Sequence, residues 1–90
     1  KLHYATISFA LEIRDESQKP WIESLRPMIL DHLNLILGKK TFEQLTTVQG
    51  RYILQSQILD MVNESIALKS PTPLREIIVT HVYFNQLIVQ

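Results

Sequence analysis

The sequence predicts an α+β domain in which a strand at each end of the chain joins one small sheet and the intervening helices pack on a face of it. Three observations carry this prediction. The odd positions of residues 3–13 are His3, Ala5, Ile7, Phe9, Leu11 and Ile13, a period of two with an apolar row. Residues 76–84 are crowded with β-branched and aromatic side chains. Between these segments two stripes recur at helical spacing: Leu25, Ile29, Leu33, Ile36 and Leu37, then Leu54, Ile58, Val62 and Ile66.

In the first strand the even positions include Tyr4, Thr6, Ser8, Ala10 and Glu12, so one face is buried and the other is wet. The polar stretch 14–19 breaks the alternation and predicts a turn. Pro20 suits the first turn of a helix, where its missing N–H is no loss, and Asp15 and Glu16 lie where a helix dipole favours them. Pro27 is incompatible with a helix interior, so a kink or a restart with Ser24 as N-cap is expected, giving a helix over 24–37 that stops at Gly38.

Thr41 with Gln44, and Thr46 with Gln49, both have capping-box spacing. Two starts five residues apart predict a short turn followed by a longer helix, with Gln55, Gln57, Asp60 and Glu64 mostly on its polar side. Ser70, Pro71, Thr72 and Pro73 end that helix and form an extended link. In the final strand, Ile77, Val79, His81 and Tyr83 alternate with Ile78, Thr80, Val82 and Phe84. Both rows are largely apolar, so helices are expected over one face and a neighbouring molecule over the other. Asn85 and Gln86 interrupt the run before Leu87, Ile88 and Val89, which predicts a bend, a bulge or a turn.

Ninety residues make a single domain, 1–90, and 46% hydrophobic with 20% charged residues is a folding composition rather than a disordered one. Nine basic and nine acidic residues cancel, so no overall field draws the chain to nucleic acid or an anionic lipid surface. The absence of cysteine excludes disulfide frameworks, thiolate zinc sites and thiol nucleophiles. No apolar run approaches the ~20 residues of a spanning helix. The start at Lys1 rather than Met fits a fragment whose anchor would lie upstream.

Candidate chemistry is sparse. His3, His32 and His81 are the only imidazoles, without paired ligand spacing, whereas zinc needs three or four protein ligands. His3 and His81 would meet only if the terminal strands bring them together. Asp31 and His32 are neighbours on a helix and point about 100° apart, and Asp60 with Glu64 fits a solvated face. Gly38 and Gly50 are the only glycines, too few for a phosphate-binding loop. Lys39 and Lys40 follow a helix end whose dipole favours cations, and Trp21 beside Ile22 either caps the core or anchors a partner. No catalytic, cofactor or metal site follows from this inventory. The alternative is a small enzyme or ligand-binding module built on a histidine.

The stretch 77–90, IIVTHVYFNQLIVQ, resembles the closing motif of the flagellar basal-body-associated protein FliL family, roughly V-x-x-V-Y-F-x-x-F-V-x-Q. Val79, Val82, Tyr83, Phe84, Val89 and Gln90 match it in order, and Thr47, Gly50, Arg51 and Leu54 match a family segment upstream. Asn85, Gln86 and Leu87 depart from the acidic residue and Phe common there, as Gln49 does from Glu, so no acidic role is carried over. The resemblance implies a stomatin/prohibitin-type (SPFH) domain in the periplasm, held to the inner membrane only by an N-terminal anchor absent from this sequence. It implies a non-enzymatic scaffold that self-associates into a ring and binds flagellar stator membrane proteins, supporting stator assembly, activation and torque, with no cofactor. Aromatic and arginine side chains are enriched at binding hot spots. Trp21 and Arg26, with the basic pair Lys39 and Lys40, are therefore the expected subunit or stator contacts.

Overall fold

A computed structural model of the protein describes residues 5–70 and 78–89. The chain runs through β1 (Ala5–Ile13), a 3-10 turn (Glu16–Gln18), α1 (Lys19–Ser24), α2 (Arg26–Gly38), α3 (Phe42–Thr46), α4 (Val48–Lys69) and β2 (Val79–Val89). The two strands pair antiparallel in a two-stranded sheet, and α4 packs on β2 and α2. This is the α+β arrangement expected from the sequence. His3, Glu76, Ile77 and Gln90 lie outside the described residues.

The core is the α4 stripe. Leu54, Ile58, Val62 and Ile66 are fully buried against Val79 and Val82 of β2, with Ile29, Leu33, Leu45 and Ile22 closing the cluster. At about 1.5–3 kcal/mol for each fully buried aliphatic side chain, this stripe dominates the stability of so small a domain. His32 reaches into it, its Nδ1 2.8 Å from Oγ of buried Ser65, which ties α2 to α4.

The ladder matches nine residues of β1 to eleven of β2 by bulging at Thr80 and at Asn85. The interruption at Asn85 therefore takes the bulged form among the three expected. The two bulges keep Ile7, Phe9, Leu11 and Ile13 opposite Leu87, Phe84, Val82 and Val79 on the inner face. Strict alternation put Val79 with His81 and Tyr83. The extra residue at Thr80 instead turns Val79 to the side of Val82 and leaves His81 and Tyr83 outside. Both are exposed, so among the described residues helices cover one face of β2, as expected, and the face carrying His81 and Tyr83 is open.

Other boundaries also move. The helix restarts before Pro27, but Ser24 is the last residue of α1 and Leu25 forms the joint, so Ser24 is not the N-cap of α2. Its hydroxyl bonds back to the Trp21 carbonyl instead. Gly38 ends α2 without positive φ, and the amides of Lys39 and Lys40 close the last turn on Ile36 and Leu37. The Thr41–Gln44 capping box forms as expected, with both reciprocal bonds present. The second start shifts by one residue. Thr47, not Thr46, caps α4 by accepting from Gly50 N at 3.0 Å, while Thr46 bonds back to Phe42 O within α3.

Candidate functional site

Two edges bound the sheet, and the chain treats them differently. On β2, Asn63 of α4 stands in for a missing strand: Val79 N–H donates to its Oδ1 at 3.0 Å and its Nδ2 donates to Val79 O at 2.9 Å. One turn of strand further on, Gln55 donates to Val82 O. These side chains seal the proximal part of the β2 edge, whose unpaired groups would otherwise template another strand. Gln55 is thus half-buried and turned inward, contrary to its expected place on the polar side, whereas Gln57, Asp60 and Glu64 are exposed as expected.

Among the described residues the β1 edge has no such side-chain cover. Among the described residues β1 pairs only with β2. Beside that edge runs a groove of about 750 Å³, floored by the inner row of β1 from Ile7 to Ile13 and walled by Ile22, Ile29 and Leu30. Helices pack on β2 and leave the β1 row only half-buried. Arg26 stands exposed on the groove rim, and Trp21 lies half-buried against the core one turn before it. Lys39 is exposed and Lys40 half-buried just past the end of α2, away from the groove.

The outer face of the sheet carries a network centred on Glu12. Its Oε1 accepts from Thr80 Oγ1 at 2.9 Å and lies 3.0 Å from His81 Nδ1; its Oε2 accepts from Tyr83 OH at 3.0 Å. The His81 and Tyr83 rings stack 5.7 Å apart. Hydrogen bonds from Thr80 first, then Tyr83 and His81, hold the Glu12 carboxyl below its ordinary range. The same bond raises the Tyr83 phenol, whose ionised form would face a carboxylate.

A carboxylate paired with an imidazole invites a catalytic reading. Here the pair lies open on a flat face, with the two side chains 61% and 51% exposed for His81 and Glu12. The two hydroxyls of the network, on Tyr83 and Thr80, are both committed to Glu12. The register places Glu12 opposite His81, and the expected approach of His3 to His81 lies outside the described residues. Among the described residues no group of three potential ligands could hold a metal ion. No described helix is long and apolar enough to cross a membrane.

The residues singled out by motif serve a joint rather than a surface. Thr47 caps α4, and Arg51 Nε donates to Leu45 O at 3.2 Å, closing the end of α3. Gly50 admits the Gln44 backbone so closely that a Cβ there would lie 2.7 Å from both Gln44 C and Thr47 Oγ1. Leu54 follows one turn later in the core, and Val79, Val82 and Phe84 line the inner face. Tyr83 is on the outer face, and the side chain of Val89 is outside the description. Asn63 and Glu12 were not anticipated. The available signals were an Asn inside a helix, where it is a poor helix former, and a carboxylate on the wet row of an otherwise uncharged strand.

The profile of a family described as flagellar basal body-associated protein FliL matches residues 1–90. A curated relative, "Flagellar protein FliL" of Aquifex aeolicus (strain VF5), is 30% identical over 87 residues, covering 97% of this chain and 49% of its own. The chain thus spans about half the length of that relative.

Proposed function

The chain belongs to the family of flagellar basal body-associated proteins FliL, and from that premise we propose that it is a non-enzymatic, ring-forming scaffold of the flagellar stator. It acts at the periplasmic face of the bacterial inner membrane, tethered by an N-terminal anchor, and supports stator assembly, activation and torque under load. In this reading the domain is of the stomatin/prohibitin type. Trp21, Arg26, Lys39 and Lys40 supply subunit or stator contacts.

Membership of the family over the whole chain carries the reading. The sheet supports it independently: two strands are marginal alone, and one edge borders a groove with an apolar floor and a charged rim. Cells lacking the protein should recruit fewer stators and swim poorly in viscous medium. Arg26→Glu combined with Lys39→Glu, both exposed positions, should reproduce part of that loss at normal expression. If deletion leaves stator recruitment and viscous swimming unchanged, the scaffold role is wrong for this protein. If deletion impairs both while the double variant behaves as wild type, only the contact assignment fails.

A further inference from the structure

We infer that the ring interface is a head-to-tail strand addition, in which the distal part of β2 from one copy pairs with the open β1 edge of the next while Tyr52 and Val48 enter the groove. The inference rests on the self-assembly proposed above and names the surfaces that would carry it.

The argument begins with what each edge lacks. Residues 5–11 of β1 and 82–89 of β2 contain no charged side chain. Lysines and carboxylates are the usual guards of an exposed strand edge. Asn63 and Gln55 seal β2 only as far as Val82, so from Tyr83 onward no described side-chain bond covers that edge. Both bare edges belong to one ribbon and face opposite ways. A second copy, displaced sideways in the same orientation, would bring its β2 beside β1 and repeat the antiparallel pairing already present within the chain.

The side chains below the sheet match in the same sense. Val48 and Tyr52 continue, at spacings of four and three residues, the α4 row that ends on Gln55 and Asn63 at the β2 edge. They are 82% and 74% exposed, high for a Val and a Tyr of one row. The groove opens on the opposite flank, beneath the β1 edge. The apolar projection lies on the β2 side of α4 and the recess beneath β1, with an apolar floor from Ile7 to Ile13 and a charged rim that includes Arg14, Glu23 and Arg26; a heterologous contact requires two such different surfaces, and these contacts close into rings when the rotation permits.

A short strand contact with two inserted side chains falls below the ~1,200 Å² of stable complexes. The contact should therefore be weak between free domains and become effective at the high local concentration of a membrane tether.

Residues 1–90 lack cysteine, so each introduced cysteine is unique within the domain, and the protein without either substitution serves as the background control. Ser8→Cys in one tagged copy and Gln86→Cys in another, both at exposed outer-face positions, are co-expressed in cells as the otherwise natural protein and treated with a short bis-maleimide. The mixed pair should join efficiently and the two like pairs poorly. Tyr52→Glu, at a solvent-exposed site, should lower that yield at least about tenfold, the loss of ~1.4 kcal/mol of contact energy, with unchanged thermal unfolding. A lysine-reactive reagent applied in parallel separates the possible failures. Oligomers with that reagent but no mixed-pair product, or like-pair products only, would overturn the edge assignment and leave self-assembly standing. Monomers with both reagents would overturn both.

Discussion

The two glycines make a paired test, because the same substitution should have opposite signs at the two sites. Both lie in helices without positive φ, so helix propensity alone favours alanine at each by about 0.8–1 kcal/mol. At Gly38 an added Cβ meets nothing within 4 Å, and Gly38→Ala should stabilise the domain by about 0.5–1 kcal/mol, less than the full propensity because the site is a helix end. At Gly50 the Cβ would sit 2.7 Å from Gln44 C and 2.7 Å from Thr47 Oγ1, and closer still to Gln44 O. The principal obstacle is backbone, which cannot swing aside as a side chain can, so α3 must move relative to α4. That movement strains the Thr47 cap, worth roughly 1 kcal/mol, and the Arg51 bond to Leu45 O, about 1.5–3 kcal/mol for a charged donor. Partial loss of both, less the propensity gain, leaves Gly50→Ala destabilising by about 1–3 kcal/mol. Urea unfolding of the two variants and wild type, at equal m, gives both numbers. A Gly50→Ala variant as stable as Gly38→Ala would refute the close approach of α3 to α4.

Leu54→Ala and Ile58→Ala should each cost about 2–5 kcal/mol in chemical denaturation, because both side chains are fully buried and a cavity would remain. Asn63→Leu leaves the Val79 N–H and C=O without their partner and should cost roughly 1–3 kcal/mol, with faster amide exchange at Val79. The Glu12 network should give a pH signature. A carboxyl whose folded pKa is depressed adds stability above its ordinary range and loses it as pH falls through the folded value. The difference in thermal midpoint between wild type and Glu12→Gln should therefore be present at neutral pH and fade in acid as pH falls below the ordinary glutamate value of 4.5 and through the depressed folded value; a difference independent of pH would count against the network.

Capping-box spacing places the α4 cap at Thr46 and the structure moves it to Thr47, whereas the order of elements, the α4 stripe from Leu54 to Ile66 and the Thr41 cap were legible in the sequence. Each rests on interactions within a few residues or on a periodicity that one chain segment displays alone. The sequence also carried the family resemblance, since the terminal motif is a string of residue types. The direction in which β2 faces emerged only when the strands paired. Alternation assigned Val79 and His81 to one row, and the bulge at Thr80 separated them, because a ladder with β1 could keep its apolar row continuous only by absorbing an extra residue. The same holds for Asn63 and Glu12. Their partners lie 16 and about 70 positions away, so nothing local marked Asn63 as the seal of one sheet edge or Glu12 as the centre of the outer face. The bare β1 edge and its groove are likewise properties of assembled elements: an edge exists only once a strand has one neighbour and lacks the other.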